Sequence, residues 1–173
     1  MESSSALLTE PAATPVTATI ARRVSCRAYQ TTPVAEAQVM QILEAAQLAP
    51  SACNQQPWRF AVVRDPELRR RIVQEGFLPG ARMGWALDAP VHVVLGMERS
   101  FITHRLGPQV SGVDYPWVDI GIAGEHLVLA ATELGLGTCW IGWIKPKVLA
   151  QYCRLAELRA AGGRHHRRLR IRS

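Results

Sequence analysis

The stretch from Val118 to Leu134 constrains this chain most. Ile122, Leu127, Ala130, Ala131 and Leu134 recur along one broad apolar helical face, and Gly135 and Gly137 stop the helix directly afterwards. A helix of that kind must be buried against a partner. Strands supply one: Trp58 to Arg64 alternates and is rich in Val and aromatic residues, Ala89 to Gly96 reads as a buried strand, and Thr138 to Ile144 reads as a third. A second helix is capped by Thr32, takes Pro33 at its first position, and repeats Val39, Ile42, Leu43 and Ala46 before Pro50 ends it. Shorter helices start near Val16, open at Asp65-Pro66 and run to about Gln74, and follow Lys145-Pro146 through Leu155. The stretch Ser100 to Pro116 has no firm periodicity and reads as a loop. Helices mixed with strands that need covering layers give an α+β or α/β fold.

With 173 residues, 48% of them hydrophobic and 20% charged, the chain is long enough for one substantial core. Met1 to about Thr17 is rich in Ser, Thr, Ala and Pro and lacks a basic region before Leu7-Leu8, so it reads as a loose leader, not a secretory signal. The most apolar region, Ile120 to Ile144, is interrupted by Glu125, His126 and Glu133 and carries five Gly, which argues against a membrane span. Cys26, Cys53, Cys139 and Cys153 match no metal or disulfide spacing, and reduced thiols in a cytoplasmic protein are the expectation. The net charge of +6 owes five units to Arg164, Arg167, Arg168, Arg170 and Arg172, so the body is close to neutral and no nucleic-acid partner is expected.

Three segments carry candidate chemistry. Arg22, Arg23, Ser25 and Arg27 form a donor set with no acidic residue near in sequence, suited to a phosphate, since guanidinium groups bond phosphate oxygens in charge-assisted pairs. A solvated basic surface is the alternative. Pro50-Ser51-Ala52-Cys53-Asn54-Gln55-Gln56-Pro57-Trp58 places a hydroxyl, three amides and an indole in one loop, where amides can read the edge of a heterocycle; ordinary turn chemistry is the rival. Cys53 has no Cys/His partner spacing and reads as inert. Gly135-Leu136-Gly137-Thr138-Cys139-Trp140-Ile141-Gly142 allows close backbone approach by a flat ring, but lacks the strand-glycine-helix order of a dinucleotide motif. Asp119, Glu125, His126 and Glu133 lack metal-ligand spacing and read as solvated or capping groups.

In this order, R-x-S-x-R, A-P-S-x-x-N-x-Q-P-W, and D-x-G-x-A before G-L-G-T-x-W-I-G, the segments resemble the FMN-dependent nitroreductase family from about Ile20 to Leu155. The resemblance implies a three-layer α/β/α sandwich with a mainly antiparallel sheet, of the α+β class, built as a homodimer with FMN at the interface. It places Arg23, Val24, Ser25 and Arg27 at the FMN phosphate and ribityl chain, with Val24 replacing a frequent Arg. Pro50, Ser51, Asn54 and Gln56 fall in the loop that meets the isoalloxazine, and Trp140, Ile141 and Gly142 in the segment along the ring. It implies a ping-pong hydride relay from NAD(P)H through FMN to a small nitroaromatic, quinone or similar acceptor, with no catalytic side chain and no metal. A branch with other flavin chemistry, dehalogenation or flavin fragmentation, or an inactive flavin-binding remnant, shares the same motifs.

The end of the chain departs from that pattern. Family members continue with a hydrophobic strand and a Gly-Tyr pair, whereas this chain ends in the basic run after Gly162-Gly163. Arg164-His165-His166-Arg167-Arg168-Leu169 can be written CGT CAT CAC CGT CGG CTA, and read one nucleotide later gives Val-Ile-Thr-Val-Gly-Tyr. A one-nucleotide frameshift near Glu157 accounts for this; a metal site at His165-His166 or a nucleic-acid arm is the weaker rival. The expected organisation is therefore a leader over 1–17, an FMN-binding domain over 18–157 and an aberrant tail over 158–173. The tail beyond Ala160 is expected to be disordered or a loose helix, leaving the sheet without its last strand and weakening both dimer and FMN binding.

Overall fold

A computed structural model describes residues 14–80, 82–98, 112–153 and 169–172. The elements are α1 (Pro15–Arg22), α2 (Glu36–Gln47), β1 (Trp58–Val63), α3 (Pro66–Arg71), β2 (His92–Met97), α4 (Tyr115–Glu133), α5 (Pro146–Tyr152) and β3 (Leu169–Arg172). Short 3-10 turns lie at Ala52–Asn54 and Gly84–Leu87, and a π turn at Ile72–Gly76 extends α3.

The sheet has the order β2-β1-β3. β1 pairs antiparallel with β2, from Trp58 opposite Met97 to Val63 opposite His92. It pairs parallel with β3, from Phe60 opposite Leu169 to Val63 opposite Arg172. Because side chains alternate along a strand, β1 feeds two cores at once. Trp58, Phe60 and Val62 pack with Val39, Leu43 and Ala46 of α2 and with Ile120 and Ala123 of α4. Ala61 and Val63 face the other way, against Ile72, Leu149 and Cys153. Helical elements on both faces of one sheet make the three layers that the family resemblance implied. Each large apolar side chain buried this way contributes roughly 1.5–3 kcal/mol.

Several elements differ from their sequence expectation. α1 begins at Pro15, capped by the Thr14 hydroxyl, which accepts the Thr17 N–H, so the leader cannot extend to 17. α2 buries the four residues named for it but starts at Glu36, where the Gln38 side chain accepts the Ala35 N–H, leaving Thr32 and Pro33 outside the helix. β2 is half-buried along its whole length, because it forms an edge of the described sheet. α4 starts earlier than expected and takes in Tyr115 and Pro116; its fully buried positions are Pro116, Asp119, Ile120, Ala123, Gly124, Val128 and Ala131. That stripe is rotated from the one read in the sequence, since a helix that is apolar nearly all round gives no clear inner face. At its end Gly135 N–H bonds Thr132 and Leu136 N–H bonds Ala131, the paired bonds of a Schellman stop.

The expected strand from Thr138 to Ile144 is absent. Among the described residues that segment makes two single bridges, Ser25 with Thr138 and Phe77 with Ile144, and no ladder. At the other end, the expectation of a sheet lacking its last strand fails for Leu169–Arg172, whose backbone pairs with the fully buried centre of β1. Unpaired N–H and C=O groups along that edge are a strong reason for any extended segment to add there, whatever its side chains. Residues 154–168, where the frameshift was placed, and 99–111, most of the expected loop, lie outside the described residues.

Candidate functional site

The first and third candidate segments meet. Ser25 forms a parallel bridge with Thr138, and the Cys26 N–H donates to the Thr138 carbonyl at 2.8 Å. The contact depends on Gly137, where an added Cβ would stand 2.9 Å from Cys26 Cβ and 3.0 Å from its Sγ. Tyr29 ties the turn beyond, its hydroxyl donating to the Cys26 carbonyl at 2.8 Å. Burial, with the neighbouring Cys26 and Cys139 thiols adding to it, pushes the phenol up to about 12.

This bridge fixes where the cations stand. Arg23 is half-buried just beyond α1, while Val24, Ser25 and Arg27 are exposed, with Arg27 Nη1 donating to the Ser25 carbonyl at 3.4 Å. Among the described residues neither Arg23 nor Arg27 has an acidic partner. Trp140 and Gly142 are exposed and Ile141 is half-buried. One edge of the Trp140 indole lies on Gly124 of α4, where any Cβ would overlap Cζ2 and Cη2, and Leu95 closes the same contact. The indole thus leans on the helix with 51% of its surface open. Farther along, Trp143 donates to the Pro79 carbonyl at 2.9 Å, and Pro79 lines a cavity of about 320 Å³ with Phe77, Leu78, Met83 and Lys145.

The second segment is a strained turn between α2 and β1. Cys53, Asn54 and Gln56 have φ values of 51°, 52° and 46°, left-handed conformations that non-glycine residues seldom adopt. Such clusters of strain mark sites where the surrounding structure imposes a geometry. Pro50 and Asn54 are exposed, and Ser51 and Gln56 are half-buried. The Ser51 hydroxyl accepts the Gln56 N–H at 2.8 Å. From α4, the Asp119 carboxylate accepts the Ala52 N–H at 3.0 Å. Cys53 is exposed.

Of the two roles read for Asp119, solvated or capping, the structure takes the second: it is 3% exposed and caps a turn 67 residues away, a partner the sequence reading did not identify. The available signal was its position on α4, an acid one turn after Pro116 and one before Ala123 on the buried stripe. His126 Nδ1 lies 3.3 Å from the Ala45 carbonyl and ties α4 to α2. No group of three metal-ligating side chains occurs among the described residues, and no described helix is long and apolar enough to cross a membrane.

The donor set fits a phosphorylated heterocycle. Two uncompensated cations and a serine hydroxyl stand beside a glycine-lined segment, and α4 supports both that segment and the amide-bearing turn. Comparison with known proteins points the same way. The model of the nitroreductase family matches residues 20–162. An Archaeoglobus fulgidus protein, provisionally named an NADH dehydrogenase/NAD(P)H nitroreductase, is 36% identical over 122 residues, covering 69% of this chain and 63% of its own length. The chain thus spans less than two thirds of that relative. A crystal structure of a nitroreductase family protein from Clostridium novyi NT superposes with a TM-score of 0.69 at 26% identity, covering 80% of this chain and 75% of the other. An FMN-dependent nitroreductase from Clostridium difficile R20291 superposes with a TM-score of 0.62 at 27% identity, covering 79% and 76%.

Proposed function

Since the chain belongs to the nitroreductase family, we propose that it binds FMN and passes electrons from NAD(P)H to nitroaromatic, quinone or similar electron-poor acceptors. The observation that carries this reading is the Ser25–Thr138 bridge, which sets the paired cations beside the segment of Trp140, Ile141 and Gly142. Arg23 and Arg27 hold the phosphate by charge-assisted bonds, and Ser25 adds a hydroxyl donor. Asn54 and Gln56 offer carboxamides to the ring edge, and donors aimed there stabilise negative charge. When bound, the flavin supplies the hydride chemistry, so the chain needs no side-chain nucleophile. Cys53 accordingly has no chemical part.

The site is completed by a second copy of the chain. Exposed apolar side chains support this: Val16 and Ile20 on α1, and Trp117 and Val118 on α4, are each at least half exposed. An exposed patch of large apolar groups on a soluble chain marks an interaction surface.

The test is the oxidation of NADH and of NADPH by the full chain with added FMN, with and without a nitroaromatic or quinone. Acceptor-dependent oxidation that requires FMN is expected. Its absence for both nucleotides at saturating FMN would overturn the assignment.

A further inference from the structure

Asp119 is buried on α4 with only half of its carboxylate used. Oδ1 accepts the Ala52 N–H, whereas Oδ2 is buried with no partner among the described residues. No cation pairs with it there. Burying a carboxylate whose acceptors are half unmet is unfavourable, and an apolar residue would serve helix packing better. The gain must lie in what Oδ1 holds.

That is the first amide of the Ala52–Asn54 turn, followed by the left-handed Cys53, Asn54 and Gln56. Within the turn the Ser51 hydroxyl accepts the Gln56 N–H. The Asp119–Ala52 bond ties the strained turn to α4, the helix on which Trp140 also leans. We propose that Asp119 is a positioning residue that locks the 51–56 turn through the Ala52 N–H, so that Asn54 and Gln56 meet the flavin in a fixed orientation. The second half of this statement rests on the FMN reading above; the first does not.

Asp119→Leu and Asp119→Asn in the full chain separate positioning from packing. Leucine keeps the volume, fills an apolar stripe and removes the acceptor; asparagine keeps an Oδ1 that can take the Ala52 N–H. For Asp119→Leu the melting temperature should hold or rise, while amide exchange over 52–56 quickens and the FMN dissociation constant rises, each by about tenfold or more, as expected for a lost bond to a charged group. Asp119→Asn should stay near the wild-type chain in both. Unchanged exchange over 52–56 in the leucine variant, or asparagine loosening the turn as much as leucine, overturns the locking role. A loosened turn with unchanged FMN affinity overturns its link to the flavin. If the wild-type chain itself binds no FMN, the functional reading fails, and the exchange pattern alone still decides the locking role. Should the leucine variant not fold, Asp119→Ala, which also removes the acceptor, takes its place: quickened exchange over 52–56 supports the locking role and unchanged exchange overturns it.

Discussion

Gly124 and Trp140 show how closely this site is packed at the level of single atoms. Any side chain at Gly124 overlaps the indole. Gly124→Ala should therefore displace Trp140, lower stability by about 1–3 kcal/mol as overpacking does, and change tryptophan fluorescence; an unchanged urea midpoint would show that the contact yields freely. His92 gives a second test. Its Nε2 lies 2.8 Å from the Ala86 carbonyl, and burial, with Arg69 adding to it, holds the ring below its usual range. The unfolded chain then takes up a proton first, near the ordinary value of about 6.5. Stability from this group is present above that value and lost as pH falls through the lower folded one. His92→Gln should flatten the fall in urea midpoint between neutral and mildly acid pH; equal slopes would contradict the burial argument. Residue types at the site were legible in the sequence, but conformation was not. Ala-Cys-Asn-Gln-Gln does not by itself announce three left-handed residues, and the long-range bond that the turn makes, Asp119 to Ala52, spans 67 residues and is not legible in the local sequence.

Elements were legible where one face meets the core and the other meets water. α2 buries Val39, Ile42, Leu43 and Ala46 as their spacing indicates. α4 is apolar on nearly every side, so its existence and its glycine stop could be read but its inner face could not. Thr138 to Ile144 has strand-like composition without a ladder partner, and pairing is a property of two segments that one segment's residues do not reveal. Local caps are the opposite case. Asp65 was readable as a helix start, and its carboxylate accepts the Leu68 N–H at 2.6 Å. Asp65→Ala should cost about 1 kcal/mol, seen as a lower melting temperature without loss of FMN binding; no change would mean that Pro66 alone sets the start of α3.

For the whole molecule, the proposed flavin half-site calls for a second copy to complete it. Trp117, 59% exposed on α4, is the largest apolar group on the proposed contact surface. Trp117→Glu should shift the chain toward monomer in sedimentation and weaken FMN binding with it, whereas an unchanged assembly state would place the contact elsewhere. The central claim is that this chain holds FMN through the cations of its first motif. The most direct measurement is a flavin fluorescence titration of the wild-type chain beside Arg23→Ala/Arg27→Ala. Saturable binding by the wild type is predicted, with an affinity loss of roughly 3–6 kcal/mol in the double variant if each charge-assisted bond contributes about 1.5–3 kcal/mol. Equal titration curves for the two proteins, or no saturable binding by either, would contradict it.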